Sequence, residues 1–286
     1  MELPEYSQRI DGAGLEAHRD ALVRAALPSV RLVATGSADA APVGTSRLGG
    51  LPDLPLTTEW PTKNGKPLSF IAQVNLDDVH PFDDEALLPD SGVLSFFYDA
   101  ISQSAWGFSP ADRGSSAVIY SPPGATLIRR DAPESLDDAA TFEPVRLTPK
   151  REMTFVPWES FTAEAVGMSR AETFQYAEIF WDDQQDDGVD LVHRLLGHPD
   201  HVQGDMQVEC QLATNGLDCG SPGGYLDPRT AALRAGAGEW RLLLQVDSEE
   251  AAGMMWGDAG RIYFWIRRED LLAQRFDQSW LVLQCC

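Results

Sequence analysis

One short pattern occurs twice in the chain and limits the folds that are open to it. Residues 260–265 (GRIYFW) are so rich in aromatic and β-branched side chains that a β-strand is the structure they favour. A similar segment, 92–97 (GVLSFF), lies much earlier. Each follows a turn-like sequence that ends in the glycine. The pair therefore predicts two equivalent strands in distant parts of the chain.

Two further blocks accompany these strands in the same order. Residues 69–75 (SFIAQVN) align without a gap with 241–247 (RLLLQVD), and an acidic loop joins each block to its aromatic strand. A Gly-x-Pro-Asp element precedes each set, at 50–53 and at 197–200. Three blocks repeated in one order indicate an internal duplication. We predict an α+β, β-rich fold in which two tandem-duplicated antiparallel sheet units pack as one pseudo-symmetric body with a few helices.

The repeat also divides the chain. We predict a single domain over 1–286, with repeat halves at 48–157 and 195–286 and a helical insert at 158–194. Ser169 and Glu172 have the spacing of a capping box, which predicts a helix that begins there. A second short helix is predicted over 189–196, because Gly197 follows at the position that commonly ends helices.

Charge excludes several classes of partner. The 22 basic residues stand against 44 acidic ones, and the net charge of −22 repels nucleic acid and anionic lipid but suits a basic protein or peptide. The sequence contains no apolar run of the roughly 20 residues that a membrane span needs. The first 20 residues have no export signal, and four cysteines are too few for a disulfide framework. We expect a cytoplasmic protein that contacts neither nucleic acid nor membrane.

Blocks that carry a family resemblance run through most of the chain. They are 49–55 (GGLPDLP), 60–61 (WP), 70–76 (FIAQVNL), 88–94 (LPDSGVL), 193–199 (HRLLGHP), 203–206 (QGDM) and 256–260 (WGDAG). Together they resemble the YwqG-like proteins, a widespread bacterial domain of unknown function. The resemblance implies a β-rich α+β fold with two similar halves, and it implies no established activity, cofactor or catalytic residue. His198 departs from it, because an aromatic residue such as tyrosine is expected there.

A polar cluster between residues 181 and 205 supplies the metal-ligand candidates, which are Asp182, Asp183, Asp190 and His193. Asp190 and His193 are three residues apart and share one face of the predicted helix, and carboxylates with imidazoles suit a divalent cation. The alternative is an ordinary acidic helix end, since the spacing matches no calcium-binding loop. A zinc set of His198, His201, Cys210 and Cys219 has no recognised spacing either. We predict no cofactor.

The repeated glutamines, Gln73 and Gln245, are ligand-binding candidates. Strict alternation along the strands puts them on the face opposite Phe70 and Leu242. If that face lines a groove between the halves, the amides would hold a polar ligand. The alternative, which we favour, is that each amide satisfies backbone groups of the Gly/Pro-rich loops that cover the sheet.

Trp256 and Asp258 are further candidates in the turn before the aromatic strand of the second copy, where Trp256 has no aromatic counterpart in the first copy. The alternative is a core role for the indole of Trp256 and a turn-capping role for the carboxylate of Asp258.

Catalytic sequence signatures are missing from the chain. Residues 220–224 (GSPGG) match neither a nucleophile elbow nor a phosphate-binding loop. We therefore predict a protein- or peptide-binding module, one that neutralises a basic partner, rather than an enzyme. The alternative is a metal-dependent hydrolase or a small-molecule-binding protein that uses the acidic and histidine-rich region 182–205.

Overall fold

A computed structural model describes residues 1–180 and 191–285 of the chain. Its helices are α1 (Leu3–Gly12), α2 (Glu16–Ala25), α3 (Leu76–Val79), α4 (Phe161–Val166), α5 (Arg170–Glu178), α6 (Gln207–Thr214), α7 (Pro222–Leu226), α8 (Thr230–Arg234) and α9 (Arg268–Leu272). Its strands are β1 (Leu27–Ser37), β2 (Arg47–Leu48), β3 (Asp53–Pro55), β4 (Thr62–Lys63), β5 (Lys66–Pro67), β6 (Ser69–Asn75), β7 (Val93–Tyr98), β8 (Ser116–Ser121), β9 (Leu127–Arg129), β10 (Val145–Thr154), β11 (Arg194–Leu195), β12 (Trp240–Asp247), β13 (Arg261–Arg267) and β14 (Trp280–Gln284). Helix and strand take similar shares of the residues, 29% and 28%, so the fold is mixed α+β.

One sheet of ten strands dominates the architecture. Its order is β14-β13-β12-β11-β1-β10-β2-β6-β7-β8, and every neighbouring pair is antiparallel. The sheet curls until it is nearly closed. The long β1–β10 pair lies at its centre, with four strands on either side.

The four strands on each side pair in matching registers. Arg47 of β2 lies opposite Gln73 of β6, and Arg194 of β11 lies opposite Gln245 of β12. The next pairing has an irregularity at the same place on both sides, between Phe70 and Ala72 and between Leu242 and Leu244. The blocks that repeat in the sequence therefore occupy corresponding positions in the sheet.

These irregularities correct the predicted orientation of the glutamines. Ile71 and Ala72 both belong to the main core, whereas Phe70 packs on the outer face of the sheet. The extra residue resets the alternation, so Gln73 lies on the same face as Phe70 rather than on the opposite one. The Gln73 amide meets Asp53 on that outer face, where the Arg47 guanidinium lies 5.9 Å from the centre of the Phe70 ring.

Side chains from both halves fill the space inside the curled sheet. The ring centres of Phe96 and Phe264 are 5.1 Å apart, and those of Tyr98 and Trp256 are 6.1 Å apart. All four side chains are fully buried. Since full burial of a large apolar side chain stabilises a fold by about 1.5–3 kcal/mol, this shared core joins the halves into one body.

A helical layer packs beside the centre of the sheet. The hydroxyl of Tyr6 in α1 lies 2.6 Å from that of Tyr176 in α5, and Tyr176 donates to the carbonyl of Val156. The predicted capping box is confirmed, because Ser169 and Glu172 exchange hydrogen bonds at the start of α5.

The second short helix predicted over 189–196 is wrong for its described part. Residues 194–195 form β11 and pair with β1 and β12. Leu196 and Gly197 then both have positive φ, of 60° and 70°, so the glycine belongs to a tight turn after a strand rather than to a helix end. Within 1–180 and 191–285, none of the helices has the length and apolar character that crossing a membrane requires.

Candidate functional site

Gln73 and Gln245 each hold a loop of their own half against the sheet. The Gln73 amide oxygen accepts from the N–H of Asp53 at 2.9 Å, and its nitrogen donates to the Thr45 carbonyl. Gln245 accepts from the N–H of Asp200 at 2.9 Å and donates to the carbonyl of Val192. Both side chains are fully buried. They lie on separate sides of the central strand pair, and each amide is occupied by backbone groups.

In the first half, the loop closes on a buried charge network around Asp53. The carboxylate accepts from Arg47 at 2.9 Å, from Arg129 at 3.0 Å and from the N–H of Gly44 at 2.8 Å. Burial by itself raises the pKa of Asp53. The hydrogen bonds from the two guanidinium groups and the backbone N–H outweigh burial and lower this pKa to about 2.

The second half places an exposed carboxylate at the corresponding position. The side chain of Asp200 is 42% exposed and pairs with Arg261 at 2.6 Å, instead of entering the sheet face. Arg194, which corresponds to Arg47, pairs with Glu152 at 3.1 Å. The ring of His198 turns away from this loop and meets the carbonyl of Ala25 in α2 at 2.7 Å. The loop after β11 is therefore less tightly packed than the loop after β2.

The layer that covers the sheet differs as well. In the first half, Leu54 and Trp60 pack on Phe70 and Phe97, and the Trp60 and Phe97 ring centres are 5.5 Å apart. The corresponding floor residues of the second half are Leu242 and Trp265, and α6 covers them together with Trp240 through Met206 and Cys210. This helix does not fill the space beside the loop that begins at His198. A cavity of about 220 Å³, here the inner pocket, remains there.

A second cavity adjoins the inner pocket. It has a volume of about 330 Å³ and shares Pro157, Pro199 and His201 with the first. Here it is called the outer pocket. Its apolar wall is formed by Phe155, Trp158 and Phe180. The two pockets adjoin one another beside the loop that begins at His198, and together they are the candidate site.

The aromatic wall of the outer pocket has a firm support. The ring of Tyr6, fully buried in the helical layer, lies 4.1 Å from that of Phe155 and 6.3 Å from that of Phe180. Tyr176 contacts Phe180 on another side, at 5.5 Å between ring centres. The third wall residue, Trp158, contacts Phe174 at 6.4 Å between ring centres, so all three have aromatic contacts outside the pocket.

Among the described residues, two guanidinium groups line the site, that of Arg241 in the inner pocket and that of Arg194 in the outer pocket. The surroundings of His201 strip most of its hydration, which lowers the pKa to about 4 and leaves the imidazole neutral at pH 7. Arg194 pairs with Glu152, which also pairs with Arg31. Asp205 accepts from the N–H groups of Phe161 and Val208 and so stabilises the first turns of α4 and α6.

The other predicted site residues lie elsewhere. Trp256 is fully buried in the core, with its indole N–H directed at the carbonyl of Asp247, and Asp258 is exposed. The metal candidates Asp182, Asp183 and Asp190 lie outside the described residues.

His193, the remaining metal candidate, uses both ring nitrogens in hydrogen bonds. Its Nδ1 accepts from the N–H of Asp247 at 3.1 Å, so the proton must be on Nε2, which faces Glu249 at 3.3 Å. This hydrogen bond is the main cause that lowers the pKa of Glu249.

The zinc set does not assemble. Cys210 and Cys219 belong to two separate apolar clusters, and the His198 ring is bound to Ala25. In the part of the chain that the structure describes, no group of three or more His, Cys, Asp or Glu residues is arranged to hold a metal ion.

Sequence reasoning missed most of the pocket residues. Trp158 and Glu159 were placed in the helical insert without a role, and His201 only in the zinc alternative. The sequence feature that pointed to the pockets was the neighbouring His198, which departs from the family resemblance. It lies in the loop that differs between the halves.

The fold and the pockets together define an α+β protein that has one nearly closed antiparallel sheet and two adjacent cavities. A model of the family described as a domain of unknown function, DUF1963, matches residues 46–285. The chain therefore belongs to this family. A search of curated proteins gives no match.

Proposed function

We propose that this protein binds a small organic molecule in the joined inner and outer pockets, and that it is a binding protein rather than an enzyme. One observation carries the proposal. The same position of the sheet is filled by Leu54 and Trp60 in the first half, whereas in the second half a cavity of about 220 Å³ remains, with Leu242 and Trp265 in its lining.

A cavity that is left unfilled lowers the stability of the fold, so its presence in only one half favours a function for it. Protein interiors are normally packed about as densely as organic crystals, and each unfilled volume loses contacts. The first half demonstrates that this sheet position accepts complete packing. The outer pocket, at about 330 Å³, also falls within the size range of small-molecule sites.

The experiment compares two variants that carry the same substitution. Val202 lines the outer pocket, and Val202→Phe fills part of it. Val43, half exposed in the first half, provides the matched control Val43→Phe. We expect ligand-observed NMR with a panel of neutral, anionic and cationic fragments to find binders that V202F weakens about tenfold and V43F leaves unchanged. The absence of any fragment with this dependence would contradict the proposal.

Narrower predictions from the sequence also remain proposals. The matching registers around Gln73 and Gln245 support a tandem duplication. The YwqG-like assignment stays a prediction that rests on the sequence blocks. A basic protein or peptide as partner, and a cytoplasmic location, stay predictions that rest on composition. Pull-down from lysate at low and high salt tests the partner, and a salt-insensitive or empty result counts against it.

A further inference from the structure

We propose that the ligand of the outer pocket is an organic ammonium ion, either a small alkylated amine or the side chain of a modified lysine. This inference rests on the proposed function, because it assigns a chemical class to the same site. Three features carry it. They are the aromatic wall, a carboxylate beside that wall, and the excess of carboxylates over guanidinium groups in the lining.

The aromatic wall is the first feature. Phe155, Trp158 and Phe180 line one cavity, and the faces of aromatic rings attract cations, with tryptophan the strongest. Trp158 is 37% exposed, and its ring contacts Phe174, whose ring centre lies 6.4 Å away. Support from Tyr6 behind Phe155 and Phe180 fixes two of the rings before binding, which reduces the ordering that a ligand must induce.

The carboxylate of Glu159 is the second feature. Glu159 follows Trp158 and lines the same pocket, and its Oε2 lies 3.4 Å from the point where a Cβ on Gly204 would be. Among the described residues, Glu159 makes no ion pair. The pocket therefore combines aromatic faces with an available negative charge.

The charges around the pocket favour a cation over an anion. Arg194, which lines the pocket, shares the carboxylate of Glu152 with Arg31, and His201 is neutral at pH 7. The net charge of −22 repels anions at long range and attracts cations. The ionised side chains among the described residues of the lining are two carboxylates, Glu159 and Asp200, against one guanidinium group, that of Arg194, so the lining itself suits an ammonium group.

The test uses choline and its neutral isostere 3,3-dimethyl-1-butanol, which differ in charge and hardly in shape. We expect isothermal titration calorimetry on the full chain to show that choline binds about 5- to 30-fold more tightly than the isostere, the range expected for a partly desolvated cation on aromatic rings. Equal affinity for the two compounds would overturn the inference.

Nα-acetyl-trimethyl-lysine amide and unmodified Nα-acetyl-lysine amide form the second arm. Tighter binding of the trimethylated amide than of choline identifies a modified lysine as the source.

Matched variants locate the binding. Glu159→Gln removes the carboxylate, and Glu134→Gln removes an exposed acid of the first half, so both change the net charge equally. We expect E159Q to weaken choline about two- to fivefold and E134Q to have no effect, as for a partly exposed ion pair. Trp158→Leu should weaken choline about two- to fivefold with an unchanged melting temperature. Equal effects of the two Gln variants would refute the assignment.

Failure of this inference is distinguishable from failure of the proposed function. If neutral or anionic fragments bind with the Val202→Phe dependence while choline does not outbind its isostere, the pocket binds a ligand of another class. If no fragment shows that dependence, the proposed function itself fails.

Discussion

The buried carboxylate of Asp53 gives the sharpest prediction, because the corresponding residue of the other half serves as its control. Asp53→Asn removes the negative charge between Arg47 and Arg129 but keeps the shape of the side chain. Arg47 is 1% exposed, so its charge would remain in the interior without a counter-ion. Breaking one side of a buried ion pair costs about 3–5 kcal/mol of unfolding free energy. Asp200→Asn affects a carboxylate that is 42% exposed, and we expect a loss of about 1 kcal/mol or less.

The pH dependence of this effect follows from the pKa of Asp53. The folded pKa of about 2 lies below the ordinary value of 3.8, so the carboxylate stabilises the fold above pH 3.8. That stabilisation is lost as the pH falls through the folded pKa. The shift corresponds to roughly 2 kcal/mol, which the wild type should lose between about pH 4 and pH 2 and D53N should not.

Urea unfolding followed by tryptophan fluorescence measures both quantities. The unfolding free energies of wild type, D53N and D200N are compared at pH 7, and the difference between wild type and D53N is then followed to low pH. Two results would refute the reasoning. One is a D53N loss within 1 kcal/mol of the D200N loss, and the other is a wild-type advantage over D53N that stays constant from pH 5 to pH 2.

Three further predictions concern stability. Trp256→Ala should cost about 3–5 kcal/mol because it empties a core position, and a loss below 1 kcal/mol in urea unfolding would contradict its core role. Asp258→Ala, at an exposed turn, should stay within about 0.5 kcal/mol of wild type in the same assay. Ser169→Ala should cost about 1 kcal/mol through loss of the α5 cap, whereas Ser169→Asp should retain most of the stability; equal losses would argue against capping.

The strands of the repeat could be predicted from the sequence because their pattern is local. Segments 69–75 and 241–247 are strands, as are 93–98 and 261–267, and their order and pairing follow the repeated blocks. The irregularity beside Phe70 could not be predicted in this way. A bulge inserts a residue between two otherwise regular stretches, and the apolar residues at 70–72 fit either orientation.

The pockets could not be predicted for a different reason. A strand is specified by residues that are present, whereas a cavity results from side chains that do not reach one another. Trp158 and His201 are far apart in the sequence but line the same cavity. Distant contacts also explain why the helix predicted over 189–196 was wrong in its described part. Residues 194–195 pair with distant strands, and this pairing overrode the local pattern.

The central position of β1 has a consequence for how the family is delimited. The matched segment begins at residue 46, but β1 ends at Ser37 and lies between β10 and β11. A fragment that starts at residue 46 would keep the strands of both halves and lose the one that joins them, leaving the ten-residue edge of β10 unpaired. Unpaired edges of that length recruit other chains. In this protein the unit that sequence comparison recognises is therefore smaller than the unit that folds, and expression of the domain should include residues 27–37.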